Sequence, residues 1–343
     1  MNGKQNRAKY YLLPALVCLL SLAGIVYYYF FFAFSTLSEK TYVYIDDDDN
    51  MDSVIYKLEN IAGSCQMTGF RTLARHYGYQ DHIKTGRYPI EPQTSTVNVF
   101  IAIKNGRQEP LMVVIPETRT IEQLAERIAN KLMIDSTEMV SALSDKAFCE
   151  QFGFNTNTII SVFVPNTYEF YWDTSVNSFM KRIKKEYDTF WNKERKDKAQ
   201  SLGLTPIEVS TLASIIDEET ANTKEKPIIA GMYINRLKAG MPLQADPTIK
   251  FALKDFSLKR IYHNHLLIDS PYNTYQNTGL PPGPIKVASI KGIDAVLNRT
   301  QHTYFYMCAN ADFSGTHVFS SNYNEHLHNA ALYAKALNEK GIK

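Results

Sequence analysis

The sequence has almost no surplus charge of either sign. Its 37 Lys and Arg stand against 35 Asp and Glu, a formal net charge of +2. Proteins that grip phosphate backbones concentrate basic residues on one face, so this balance argues against nucleic acid as a partner. Cysteine is scarce, with four in 343 residues. Cys18 lies in an apolar run, which leaves Cys65, Cys149 and Cys308. An odd number implies no disulfide framework, although one pair among the three stays open. The metal signatures HExxH and Cys/His zinc spacing do not occur. His263 with His265, and His326 with His328, are spaced i, i+2, which points the two rings apart on a helix. Neither a Walker or GxGxxG phosphate loop nor a GxSxG nucleophile elbow occurs. No metal and no cofactor are expected.

One long uncharged run is present. Residues 10–34, YYLLPALVCLLSLAGIVYYYFFFAF, contain no ionisable acid or base apart from tyrosine and cysteine. About 20 apolar residues cross a bilayer, and a cleaved signal has a shorter apolar core with small residues at its end. The aromatic block Tyr27 to Phe32 suits the membrane interface instead. Lys4, Arg7 and Lys9 precede the run with no acid among them. The positive-inside rule then makes residues 1–9 a cytoplasmic tail, 10–34 a transmembrane helix and the remainder extracytoplasmic.

After the run, STLSEK (35–40) reads as a short polar linker. Tyr42 to Ile45 reads as a strand, followed by an acidic turn and a helix from about Met51. The turn, Asp46–Asp49, lacks the Gly and terminal Glu of a calcium loop, so a solvated turn of mutually repelling charges is expected. Residues 97–103, VNVFIAI, read as a strand ending at the turn KNGR. Leu111 to Ile115 reads as a strand. A helix follows, with Ile121, Leu124, Ile128 and Leu132 at helical spacing, and MIDSTEMVSAL signals a second. The two strand–turn–helix segments form a weak internal repeat. The second resembles LysM, a small βααβ glycan-binding module, and a plain α+β packing unit is the alternative. Residues 178–203 read as one long charged helix with Phe179, Ile183, Tyr187, Phe190 and Trp191 on one side.

Residues 204–220, LTPIEVSTLASIIDEET, are the most informative. Thr205, Pro206 and Glu208 form a capping box with Pro at the first helical position, so a helix is expected from Pro206 to about Thr220. At roughly 100° per residue, Val209, Leu212, Ile215 and Ile216 define an apolar stripe. Of the three acids that follow, only Glu219 falls within the stripe. Asp217 and Glu218 point away and are expected in solvent. A carboxylate on an apolar face is costly to ionise, so its pKa rises, and an acid still protonated near neutral pH is what general acid catalysis needs. Pairing with Lys or Arg, or a place beyond the buried region, is the structural alternative.

Further segments then accumulate in order: FVPNTYEF (163–170), LASIIDEET (212–220), INRL (234–237), LQADPTIKFAL (243–253), SPYNTYQNTGLPPGPI (270–285) and HVFSSNYNEH (317–326). Together they resemble the endolytic murein transglycosylases of the YceG-like family over roughly residues 40–335. The family's acid is the second Glu of a motif of the type ASIIEKET, which falls on Glu219. Its first Glu is Asp217 here and its Lys is Glu218. The resemblance implies cleavage of the MurNAc-β-1,4-GlcNAc bond within peptidoglycan strands, without water, to leave 1,6-anhydroMurNAc ends. Peptidoglycan synthases (penicillin-binding proteins) would be partners, and released strands would be limited in length. Substrate-binding candidates are Gln244 and Asp246, the latter also an alternative second acid, with Tyr272, Asn273, Thr274 and Tyr275 in the turn-rich loop. The aromatic–Pro–Asn–Thr element adds Asn166, with Val164 in place of its usual aromatic. Asn235 and Arg236 would support Glu219 or bridge it, and His326 would make a structural hydrogen bond. The expected architecture is α+β: a transmembrane helix, a LysM-like α/β region over 40–150 and a mixed α+β catalytic domain over 151–343. A water-using muramidase and a non-catalytic glycan-binding scaffold are the rival readings.

Overall fold

The computed structural model describes residues 3–340. The side chains of the basic tail, residues 1–9, lie outside the described set, as do residues 341–343. The chain divides into two units. The first comprises the chain up to Met112 together with Lys131–Met133 and Glu169–Ser175; the second comprises Val113–Asn130, Ile134–Tyr168 and the chain from Val176 onward.

The first unit opens with α1 (Gly3–Phe30), followed by β1 (Thr41–Ile45), α2 (Met51–Glu59), α3 (Ser64–His76), β2 (Gly86–Ile90) and α4 (Thr96–Asn105). Within α1, Tyr10–Phe30 is long and apolar enough to cross a membrane and is unburied by protein. β1 and β2 pair antiparallel, Val43 opposite Tyr88, so the order from β1 to β2 is strand–helix–helix–strand. Phe34, Ile45, Leu58, Phe70, Tyr88 and Phe100 fill the core beneath them.

Two local readings are corrected here and a third is refined. Residues 97–103 are helical, not a strand. Ser95 caps the Asn98 amide at the N-terminus, and Gly106 closes the C-terminus in the left-handed region. Val99, Phe100 and Ile103 are buried on one face, so caps and packing outweigh the β preference of Val and Ile. Residues 35–40 do not begin as a free linker. Phe34 is fully buried, the Thr36 amide donates to the Ile61 carbonyl at 2.9 Å, and Gln66 Nε2 donates to the Tyr28 carbonyl at 3.0 Å. A Cβ on Gly69 would lie 2.3 Å from the Tyr29 carbonyl oxygen; only glycine admits the end of α1 so close to α3. Finally, the acidic turn is solvated at Asp47 and Asp48, as expected, but Lys57 bonds both Asp46, at 2.6 Å, and Asp49.

The chain leaves the first unit through β3 (Leu111–Val114). The second unit continues with α5 (Ile121–Ala129), α6 (Ser136–Ser144) and α7 (Lys146–Gln151), and the chain passes the division again at β4 (Thr167–Phe170). Then come α8 (Val176–Phe190), α9 (Lys193–Ser201), α10 (Pro206–Glu219), α11 (Lys226–Lys238), α12 (Asp246–Leu253), α13 (Ile290–Leu297), the hairpin β5 (Tyr306–Ala309) and β6 (His317–Ser320), and α14 (Tyr323–Glu339). The single helix expected over 178–203 is two. The chain breaks after Phe190, Trp191 is buried, and Asn192 caps the Arg195 amide to start α9.

α10 is the axis of this unit. Its start carries the expected box: Thr205 Oγ1 accepts from the Glu208 amide, and the Thr205 amide donates to Glu208. Contacts come from α9, α11, α12 and α13, and every residue from Val209 to Ile216 is buried. The buried hydroxyls are satisfied internally. Ser210 and Thr211 donate to carbonyls four residues back, and Ser214 donates to the Thr211 carbonyl while accepting the Ile285 amide. A helix enclosed on all sides has no solvent face, which decides the fate of the acids at its end.

Candidate active site

Glu219 is the last residue of α10. It lines a cleft of about 290 Å³ walled by α11, the start of α12, the 243–246 segment, Tyr275 and the β5–β6 hairpin. Its carboxylate accepts one hydrogen bond, from the Tyr233 hydroxyl to Oε1 at 2.8 Å. Tyr233 is a core residue of α11, 1% exposed. Burial pushes the Glu219 carboxyl up to about 7; the Tyr233 hydrogen bond pulls it down and the Asp246 charge adds to the rise. Burial also holds the Tyr233 hydroxyl well above its ordinary value, so it stays a donor.

The other two acids of DEE are not in solvent as expected. The Asp217 side chain is 1% exposed and pairs with Lys226. It also accepts the Ser289 amide at 2.7 Å and the Ser289 hydroxyl at 2.8 Å. Ser289 caps α13, and Gly292 in its first turn makes room, because a Cβ there would lie 2.5 Å from Asp217 Oδ1. Glu218 binds Arg119 at 2.8 Å and Lys286 at 3.4 Å. Both acids tie α10 to neighbouring elements.

Of the expected substrate residues, three stand at the cleft with Glu219: Gln244, Asp246 and Tyr275. Gln244 is held at φ 51, the left-handed region that costs a non-glycine residue about 1–2 kcal/mol. Asp246 accepts the Tyr275 hydroxyl at 2.5 Å. Burial and the Asp246 carboxylate both push the Tyr275 hydroxyl upward. The remaining four lie elsewhere. Asn273 is fully buried, with its amide donating to the Leu266 and Ile268 carbonyls and its Oδ1 accepting the Tyr275 amide. Thr274 is buried, accepting the Ala245 amide and sharing a hydrogen bond with Thr248. These two shape the loop that presents Tyr275. Tyr272 packs on Phe251 in a separate groove. Asn166 is exposed away from the cleft, and its carbonyl accepts the Ile115 amide.

Arg236 makes no bridge to Glu219 among the described contacts. Its guanidinium donates to the carbonyls of Phe305, Pro242 and Leu243 and to Gln244 Oε1, and so knits the cleft wall. Asn235 holds the His302 and Tyr304 carbonyls. His326 stacks on Tyr306 with centroids 5.3 Å apart, and its Nδ1 has no partner among the described residues, in place of the expected structural hydrogen bond. Cleft residues that sequence reasoning missed are Tyr233 and His317. The His317 amide donates to Glu225 Oε1 at 2.7 Å, and its Nδ1 lies 3.2 Å from Oε2. The four cysteines are free.

A mixed α+β unit with one buried, singly hydrogen-bonded carboxyl at the floor of a polar cleft defines a class of acid–base site. The sequence model of the YceG-like family matches residues 43–332, and the chain belongs to that family. It is 31% identical over 247 residues to an endolytic murein transglycosylase of Bacillus subtilis (strain 168), covering 66% of each chain. It is 26% identical to the endolytic murein transglycosylase of Streptococcus pneumoniae serotype 2 (strain D39), covering 96% of this chain and 66% of that one. The chain thus spans 66% of the length of these curated relatives. A crystal structure of a YceG-like protein from Listeria monocytogenes has a TM-score of 0.55 at 26% identity, covering 85% of this chain and 99% of that one.

Proposed function

We propose that this chain is an endolytic lytic transglycosylase of peptidoglycan, with Glu219 as its single acid and base. The observation that carries the reading is the Glu219 carboxyl, raised to about 7 by burial and open to the cleft. Near neutral pH a large fraction is protonated and can donate to the glycosidic oxygen between MurNAc and GlcNAc. As that C–O bond breaks, the carboxylate formed takes the proton of the MurNAc C6 hydroxyl, whose oxygen bonds to C1. The product is the 1,6-anhydro end, no water is consumed, and Glu219 ends protonated, as it began. Tyr233 occupies Oε1, which leaves Oε2 for the substrate. Retaining hydrolases use a second carboxylate as nucleophile; here the C6 hydroxyl fills that role. Gln244, Asp246 and Tyr275 would hold the sugar hydroxyls.

The apolar span Tyr10–Phe30 supports single-pass anchoring in the cytoplasmic membrane, with the N-terminus cytoplasmic and the catalytic unit outside. In that place the enzyme would work on nascent strands beside the synthases and terminate their growth. The same reading includes LysM-like glycan contact within 40–150, resting on the resemblance of the segment that begins at Leu111 and forms β3, α5 and α6.

Mass spectrometry of murein sacculi digested by the wild type and by Glu219→Gln tests the reading. Anhydro-ended products from the wild type alone are expected. Reducing ends would instead favour the muramidase reading with Asp246 as second carboxylate. Binding without any cleavage would favour the scaffold.

A further inference from the structure

The groove that holds Tyr272 is distinct from the cleft. It encloses about 370 Å³. The rings of Phe251 and Tyr272 pack with centroids 4.7 Å apart; Phe256, with the Arg119 guanidinium 5.4 Å over one side of its ring, and Ile121 continue the wall, and Glu122, Lys254, Thr156 and Asn157 supply polar groups. The three aromatic residues are each only partly buried. Partly exposed aromatic rings gathered with a few polar groups mark a ligand site more often than a surface accident. The Gly-Leu-Pro-Pro-Gly loop builds one side. A Cβ on Gly283 would lie 2.1 Å from the Asn157 carbonyl oxygen, so only glycine brings Pro284 and Asn157 together there.

The same two elements serve both sites. α12 starts at Asp246 in the cleft and carries Phe251 in the groove, an axial separation of roughly 8 Å at the helical rise. The loop places Tyr275 in the cleft and Tyr272 in the groove. That separation is on the scale of a short oligosaccharide. We infer that the Phe251–Phe256–Tyr272 groove is a distal subsite for the glycan strand, stacking the apolar C–H face of a sugar ring remote from the bond being cut. The inference rests on the proposed transglycosylase activity. A polymer cutter gains from such a subsite because binding energy from remote parts of the substrate positions the reacting bond.

The test uses the full chain with Phe256→Ala, which removes a stacking ring, and Thr156→Trp, which fills the groove from an exposed rim position. Cleavage of long uncrosslinked strands is compared with cleavage of a short oligosaccharide that spans only the cleft. Both variants should lower kcat/KM on long strands about tenfold, the weight of about 1.4 kcal/mol, and leave the short substrate unchanged. Equal losses on both substrates, or no loss on either, overturn the subsite. Affinity for long strands, measured in the Glu219→Gln background, provides a readout independent of turnover. It should fall about tenfold in both variants, and unchanged affinity overturns the subsite even if the wild type proves inactive. A wild type that binds strands through Phe256 and never cuts them sinks the activity alone. Binding of free stem peptide in place of glycan sinks the sugar assignment.

Discussion

Asp217 and Glu219 sit two residues apart at the end of one helix, and the protein treats them in opposite ways. The Asp217 side chain is 1% exposed, and it receives an ammonium, a hydroxyl and a backbone amide at a helix N-terminus. Glu219 receives one phenol and faces a cleft with Asp246 nearby. Burial alone therefore does not make a general acid. Burial with the compensating partners withheld does. The contrast separates the residue that holds the frame from the one free to exchange a proton.

The largest effect should come from Glu219→Gln. General acid–base catalysis contributes about 10²–10⁴-fold per step, and the proposed mechanism asks one residue to serve two steps. Turnover should fall at least about a thousandfold, read by release of anhydro ends, with the folded state intact. Next, Asp217→Ala strands the Lys226 ammonium and the Ser289 amide. Breaking a buried ion pair costs about 3–5 kcal/mol, so denaturant titration should show that loss. If Asp217→Ala kept its stability and lost only activity, the two acids would have exchanged roles and the comparison would fail. Gly292→Ala probes the same pair from the other side. Its new Cβ must push against the Asp217 carboxylate, and overpacking costs about 1–3 kcal/mol. A smaller loss of stability than for Asp217→Ala is the expected result.

How much of this was legible in the sequence depends on what lay within one helix. The capping box at Thr205–Glu208 is local chemistry, and the structure reproduces it. Glu219 was singled out by angle, but angle also placed Asp217 in solvent. The stripe argument presumes a helix with one wet face, and α10 has none because α13 covers the side on which Asp217 emerges. Tyr233 was invisible for a related reason. It lies fourteen residues on, in α11, whose Ile229 to Ile234 are buried without interruption, so no periodicity distinguishes a core tyrosine from one aimed at a carboxylate. Of the loop candidates, Tyr275 reaches the cleft while Asn273 and Thr274 turn inward. Asn and Thr are the residues that satisfy a loop's own backbone, and composition alone does not separate the two uses.

The raised carboxyl also has a cost in stability. Between the ordinary value of 4.5 and about 7, folded Glu219 keeps a proton that the unfolded chain has lost. Stability therefore falls as pH rises through that window. The gap is worth about 2–3 kcal/mol at 1.36 kcal/mol per unit, allowing for the open side of the cleft. Glu219→Gln removes the titration. The variant should match the wild type below pH 4.5 and exceed it by that amount above pH 7 in melts run across the range. A constant difference at all pH values would mean that Glu219 is not the group held protonated.

The smallest expected effect tests the single partner that Glu219 keeps. Tyr233→Phe removes a hydrogen bond worth about 0.5–1.5 kcal/mol and little volume. That bond favours the carboxylate, so its loss should raise the Glu219 pKa further. The alkaline limb of the activity profile should move up by half to one pH unit, in keeping with about 1.4 kcal/mol per unit, while turnover at the optimum drops about threefold to tenfold because Oε2 is no longer held toward the substrate. If the hydroxyl served packing alone, activity would fall with the limb fixed in place. If the limb moved down instead, Tyr233 would be stabilising the protonated acid, and the distinction between a satisfied Asp217 and a withheld Glu219 would have to be redrawn.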